Sequence, residues 1–382
     1  MVWCRAVLMS ISEWMLYICL TLSGRFKVVC SRDVIPKLIS RESSLAKHLV
    51  RRRGLLNRPF RTVLPLRNAH VQTLAGLLCP ALGDFRFDRE YLQVRDGLVA
   101  LDWYTEPEAV LRRNSPILLV FPRLTGDANS VGGLCRFAMK KGFRPVVLNR
   151  RGHGGSFMSS SKLTSTGDAN DTHKAVALIF ERYSFVPIVA VGIGAGCATL
   201  FSYLGERGSS SRIKAAVCIS PTYDNTIRLC EQIPFFYQII ILIQLKFTLI
   251  ANWKIFRKAI DFKRILLRCW SLKEFDFHVY CKMYGISKFE TFWQRNDPMR
   301  DVDDIAAPVL CINSEDDPVS AHSSIPQDVF RIYPNLFLVT LAAGGHCAFH
   351  ENVMGDSWAH STALTFIEGV LEFMSNSRYW GK

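Results

Sequence analysis

The chain has 382 residues, 49% of them apolar and 12% aromatic, which allows a sizeable core and excludes a disordered polymer. Lysine and arginine outnumber aspartate and glutamate to give a net charge of +14, and half of that excess falls in residues 1–53. The twelve cysteines are scattered and form no C-x-x-C pair, which argues against a disulfide framework and for buried free thiols in a reducing compartment.

Residues 6–24, "AVLMSISEWMLYICLTLSG", are apolar except for Glu13 and about long enough to span a bilayer. Segment 1–24 is therefore expected to be a membrane anchor or signal segment. Basic residues crowd its C-terminal flank (Arg25, Lys27, Arg32, Lys37), so the positive-inside rule places the following domain in the cytosol. The expectation is a single-pass membrane protein, with the endoplasmic reticulum a candidate membrane; secretion after signal cleavage is the alternative. Residues 25–60 are basic and irregular and read as a connecting arm.

The remainder, 61–382, alternates short apolar runs with helical patterns. The strand candidates are "PILLVFPR" (116–123), "RPVVLNRRG" (144–152), "VPIVAVGIG" (186–194), "IKAAVCISP" (213–221), "APVLCINSEDD" (307–317) and "LFLVTLAAGGH" (336–346). Each is a continuous apolar run, as a strand buried on both faces requires. Alternating βα units predict a mostly parallel sheet with helices on both faces. Residues 222–300 interrupt the rhythm with the very apolar "IPFFYQIIILIQLKFTLIANW". This insertion over the strands' C-terminal ends reads as a helical lid. A second transmembrane helix is the alternative, opposed by Gln238, Gln244 and Lys246. The basic residues after it (Lys246, Lys254, Arg257, Lys258, Lys263, Arg264, Arg268) are interleaved with large apolar ones, which fits an anionic membrane surface better than nucleic acid.

Ligands in such sheets bind beyond the C-terminal strand ends. Those ends deliver "PRLTG" (122–126), the glycine turn around Gly194, the pair Asp316 and Asp317, and His346. Elbow, acid, histidine is the chain order of a nucleophile-elbow triad, in which the acid orients a histidine that deprotonates the elbow residue. Asp317 fits the acid by its spacing after the strand, with Asp316 the alternative. Backbone N–H groups at Leu124 and Ala195 are candidates for an oxyanion hole. No metal spacing, P-loop or dinucleotide fingerprint occurs, since "GIGAGC" lacks the third glycine, so no cofactor is expected.

Several motifs together carry a family resemblance: "NAHVQT" (68–73), "EYLQVRDGLVALDW" (90–103), "PRLTG", "NRRGHGGS" (149–156), "SYLGERGSSS" (202–211), "CISP" (218–221), "FWQRNDPMRDVDDIAAPVLCINSEDDPV" (292–319) and "GGHC" (344–347). Over residues 60–375 the chain resembles the AB-hydrolase-4 family of α/β hydrolases. The resemblance implies an N-terminal anchor, an α/β-hydrolase fold and acyl-ester or lipid chemistry. It also implies a serine at the elbow, where this chain has Gly194, and "PGLTG" where this chain has Arg123. Two functions are compatible. One is a catalytically impaired lipid-binding or regulatory protein, with a lipid or acyl-ester ligand, a membrane and a protein partner as its contacts. The other is an esterase or lipase with residual or water-mediated hydrolysis through His346 and Asp317. Cys197 in the elbow helix reads as a buried thiol rather than a nucleophile, and nothing marks Ser156, Ser159 or Ser160 as activated. His70 and Gln72 are expected to close the N-terminal segment onto the domain, Arg150 and Arg151 to tie loops to carboxylates, and His153 to line the pocket or pack its loop.

Overall fold

A computed structural model describes residues 33–78, 83–107, 111–224, 232–352 and 355–380. The apolar run at 6–24 lies outside the described residues. The six expected apolar runs form strands β4 (Ile117–Phe121), β5 (Arg144–Leu148), β6 (Ile188–Ile193), β7 (Ile213–Ile219), β8 (Val309–Ser314) and β9 (Leu336–Leu341). They pair in parallel, in the order β9-β8-β7-β6-β4-β5. Parallel strands need crossover helices, and these cover both faces. Along β4, Leu118 and Val120 face one hydrophobic cluster while Ile117, Leu119 and Phe121 face the other. The first cluster packs under α3 (Gly132–Lys140) and α10 (Trp358–Trp380), the second under α4 (Asn170–Arg182), α5 (Ala195–Arg207) and α9 (Gln327–Ile332). The chain is an α/β-hydrolase fold with a nine-stranded, mostly parallel sheet.

Three strands were not among the expected ones, and all pair antiparallel. β2 (Arg86–Val94) and β3 (Gly97–Thr105) form a hairpin that joins the sheet through β5. β2 is an edge strand with one solvated face, so it lacks the continuous apolar run of a buried strand. β1 (Lys37–Ser40) pairs with β9 at the opposite edge. The expected irregular arm at 25–60 is therefore corrected over its second half. Besides β1 it contains α1 (Ser44–Arg51), capped by the Ser43 side chain on the Ala46 N–H and buried through Ala46 and Leu49. α2 (Ala69–Leu78) follows.

Between β7 and β8 the described residues form helices only. They include α6 (Phe235–Ala251), α7 (Phe262–Arg268), a π-helical turn (Asp276–Cys281) and α8 (Phe289–Asn296). These helices share their own apolar cluster, centred on Leu245, Leu249, Phe256, Phe275 and Phe292. α6 has 17 residues, and among the described residues no helix is long and apolar enough to cross a membrane. α6 instead packs Leu242, Leu245 and Leu249 into the apolar cluster of the helical segment. One residue of the basic stretch is also corrected. Lys246 is buried and donates to the carbonyls of Leu266 (3.1 Å) and Cys269 (2.6 Å) at the C-terminal end of α7, where a cation meets the negative end of the helix.

Candidate functional site

The β6–α5 turn is built by close approach. A β-carbon on Gly196 would stand 2.3 Å from the Phe121 carbonyl oxygen, so only glycine lets α5 begin this near to β4. At the apex Gly194 has φ +53° and ψ −121°, a conformation that L side chains rarely adopt. Gly194 carries no side chain into the site. The N–H of Ala195 opens α5, where the first turn has no intrahelical acceptor.

Two loops at neighbouring strand ends complete the arrangement. After β8, Asp317 accepts the N–H groups of Val319 (2.8 Å) and Ser320 (2.9 Å) on one carboxylate oxygen. Its other oxygen meets His346 Nδ1 at 2.8 Å. The alternative acid, Asp316, faces elsewhere: its carboxylate accepts the N–H groups of Gly344 and Gly345, each at 3.0 Å, and so braces the loop that leads to His346. With Nδ1–H donated to Asp317, Nε2 faces the turn, 3.6 Å from the point where a β-carbon on Gly194 would stand. Burial opposes charge on the imidazole. The Asp317 carboxylate and the Cys347 thiol more than offset this, so the His346 pKa is raised well above its ordinary value.

Gly194, Ala195, Leu124 and His346 all line one cavity, about 180 Å³ in volume, that lies between the strand ends and the helical segment. Its far wall is apolar, formed by residues such as Ile241, Leu245 and Phe292. Asp317 lies behind His346 and does not line it. The cavity also exposes Asp276, from the π-helical turn, whose carboxyl is pushed up to about 7 by burial despite opposing contributions from Arg150 and Trp293.

The other expected residues fall into place around this centre. Gln72 is buried and brackets His350, donating to its carbonyl (3.0 Å) and accepting from its N–H (3.1 Å). His70 Nδ1 lies 2.8 Å from the Tyr237 hydroxyl and so ties α2 to α6. Arg151 pairs with Asp171, both buried, as expected. Arg150 instead donates to the carbonyls of Leu124 (2.9 Å) and Thr164 and to the Tyr280 hydroxyl. His153 is buried with Nδ1 on the Arg151 carbonyl, packing its loop rather than lining the cavity. Ser156, Ser159 and Ser160 do not line it either. Cys197 is fully buried, its thiol directed at the Ile219 carbonyl, and burial pushes its pKa up.

Four features of the site are not evident in the sequence. Thr73 Oγ1 accepts the His346 N–H (2.9 Å) while donating to the Ala69 carbonyl (2.7 Å), so the "NAHVQT" motif positions the imidazole's backbone. Arg123 turns from the strand-end loop to donate to the carbonyls of Gly76 and Leu77 in the last turn of α2. Cys347 has φ +62° and Ser220 φ +48°, both unusual for residues other than glycine, and the Cys347 N–H donates to Ser220 Oγ (2.9 Å). The Cys347 thiol lies 3.1 Å from the β-carbon position of Gly194. The motifs "NAHVQT", "PRLTG" and "GGHC" mark Thr73, Arg123 and Cys347 as residues, but not what each of them contacts. Those contacts depend on backbone turns that a sequence pattern does not display.

Comparison with known proteins identifies the family and the fold. Residues 113–352 match the family described as serine aminopeptidase, S33 (Hydrolase_4). Human Protein ABHD15 is 38% identical over 316 residues, covering 80% of this chain and 67% of that protein. Mouse Phospholipase ABHD3 is 26% identical over 293 residues, covering 74% of this chain and 71% of that protein. Among solved structures, a membrane phospholipase A described as a bacterial virulence factor superposes with a TM-score of 0.50 at 17% identity, covering 79% of this chain and 89% of its own, a likeness of fold. With the family match spanning most of the sheet and an animal relative at this level of identity, the chain belongs to the Hydrolase_4 family of α/β hydrolases, alongside ABHD15 and the ABHD3 phospholipases.

Proposed function

We propose that the protein binds an acyl lipid in the cavity under its helical segment and is not a serine hydrolase, because the elbow offers no hydroxyl at Gly194. The observation that carries this reading is the cavity itself. It has apolar side chains from α6 and α8 (Ile241, Leu245, Phe292) and, where it meets the strand ends, Gly194, Ala195 and His346, an apolar chamber with a few polar groups as an acyl chain with an ester or carboxyl head requires. The phospholipase relatives support a lipid as the ligand class. A second reading, hydrolysis by a water activated on His346, has the histidine and acid it needs, with the Cys347 thiol crowding the space beside Gly194. Saturable binding of a fluorescent fatty acid, displaced by lysophospholipid and abolished by Ile241→Arg in the cavity wall, is the expected result. Binding that ignores Ile241→Arg would refute the reading.

The same proposal assigns the outer side of the helical segment to an anionic membrane. Ile243, Phe247 and Ile250 of α6, then Trp253, Leu267 and Trp270, are exposed large apolar side chains. Exposed Lys254, Arg257, Lys258, Lys263, Arg264 and Arg268 are interleaved with them. Apolar side chains that enter the headgroup boundary and cations that hold anionic headgroups are the two parts of an interfacial anchor. An anchor at residues 6–24 would add to this surface and keep the cavity close to its ligand's source.

A further inference from the structure

The Cys347 thiol occupies the place from which an elbow nucleophile would act. It lies 3.1 Å from the β-carbon position of Gly194, in the cavity lining, and His346 Nε2 lies 3.6 Å from the same point. His346 is held from behind by Asp317 at 2.8 Å. We propose that Cys347 is a nucleophile, part of a Cys347–His346–Asp317 relay that takes an acyl group from an activated ester bound in the cavity as a thioester.

Three otherwise unconnected features support this. The absence of a side chain at Gly194 makes room for the thiol, since a β-carbon there would crowd it. Arg123, which departs from the family's loop, lines the same cavity as Cys347 while its guanidinium is held by the Gly76 and Leu77 carbonyls. Cys347 is partly exposed in the cavity beside the His346 imidazole, the access and the neighbouring base that a nucleophilic cysteine needs. The third feature is positional. The left-handed backbone at Cys347 is pinned by its N–H on Ser220 Oγ, and the loop before it is pinned by Thr73 on the His346 N–H. The six other described cysteines are buried and lie outside the cavity lining.

The step balances as a simple acyl transfer. The thiol proton passes to His346 Nε2, and the sulfur attacks the ester carbonyl carbon, with the N–H groups of Ala195 and Leu124 facing the developing oxyanion. The carbon–oxygen bond to the alcohol breaks, and the alcohol leaves with the proton from His346. Water, deprotonated at the same nitrogen, then cleaves the thioester to a carboxylic acid and restores the thiol.

This inference rests on the acyl-ligand reading of the cavity, and the test separates the two. The full-length protein is incubated with p-nitrophenyl decanoate and followed by intact mass, while binding of a fluorescent fatty acid, which needs no nucleophile, is titrated in parallel. Wild type should gain one decanoyl group that neutral hydroxylamine removes and that maps to Cys347. Cys347→Ala should abolish the adduct, Cys197→Ala should keep it, and His346→Ala should slow it by about 10²-fold or more. In wild type, bound fatty acid should also protect Cys347 from iodoacetamide, a readout independent of any variant's folding. If the fatty acid binds but no adduct forms, or the adduct persists in Cys347→Ala, the nucleophile is refuted and the cavity reading stands. If neither binding nor adduct is seen, both fall.

Discussion

The Cys347 thiol and a side chain at Gly194 compete for one space: a β-carbon built on Gly194 would stand 3.1 Å from Cys347 Sγ, closer than such atoms ordinarily pack. Restoring serine to the elbow therefore asks the thiol to move by a few tenths of an ångström, in addition to the strain of a non-glycine residue at φ +53°. The expectation is that Gly194→Ser alone is labelled slowly by a fluorophosphonate at residue 194, whereas Gly194→Ser with Cys347→Ala is labelled faster. In urea denaturation the two substitutions should be non-additive by roughly 0.5–3 kcal/mol, the range for residues in contact. Equal labelling of single and double variants, with additive stabilities, would show that the positions do not compete.

A buried ion pair holds the loop after β5. Arg151 Nη2 lies 2.5 Å from Asp171 Oδ1, and Thr164 Oγ1 donates to the other carboxylate oxygen at 2.8 Å. Arg151 also donates to the Asp96 carbonyl (2.7 Å), so it cannot simply swing out to water. Removing the carboxylate leaves a buried cation uncompensated, which costs about 3–5 kcal/mol. Asp171→Ala should lose that much unfolding free energy in urea, and a loss below about 1 kcal/mol would mean the pair is solvated.

What is legible in the chain follows from what a sequence pattern encodes. The six parallel strands are legible because each is buried on both faces and so leaves an unbroken apolar run, as in "ILLVF" of β4. Asp317, His346 and Gly194 are legible for a related reason: a parallel sheet delivers its strand ends to one edge, so order along the chain becomes proximity in space. β2 and β1 are not, since an edge strand can be polar on its open side. Cys347 stands in the quoted "GGHC", but its place beside Gly194 cannot be read there. Its neighbour His346 is evident, but the left-handed turn that brings the thiol back to Gly194 depends on Ser220, 127 residues earlier. Lys246 misleads for a similar reason, because its place among exposed cations in sequence conceals carbonyl acceptors at the end of α7.

The membrane-facing assignment makes a charge-dependent prediction. Exposed lysine and arginine near an anionic surface contribute about 1 kcal/mol each at low salt and are screened over about 10 Å at 0.1 M. The triple variant Lys258→Glu, Lys263→Glu, Arg264→Glu should abolish flotation with vesicles containing phosphatidylserine, and wild type should float poorly with neutral vesicles. Fatty-acid binding in solution should be unchanged, because none of the three lines the cavity. Flotation independent of both vesicle charge and these residues would refute the surface.

Asp276 gives the cavity a pH response near neutrality. Its carboxyl is raised to about 7, burial being the largest cause, against an unfolded value near 3.9. Between those values the folded protein holds a proton that the unfolded chain has released, so this group makes the fold less stable as pH rises from about 4 to 7. An apolar chain seated beside Asp276 removes its remaining water and penalises the carboxylate further, raising the pKa in the complex. Binding then takes up a proton, and affinity must fall as pH rises through 7. Every tenfold by which the ligand weakens the acidity of this carboxyl corresponds to about tenfold in affinity between the two ends of that window. The measurement is the Kd of a non-ionisable ligand, a monoacylglycerol, at pH 6 and pH 8.5, so that the ligand's own titration plays no part. Wild type should bind more weakly at the higher pH, and Asp276→Asn should bind equally at both while keeping the wild-type affinity at pH 6. A wild-type Kd that is flat across this range would place Asp276 away from the ligand, and a pH dependence that survives Asp276→Asn would assign it to another group.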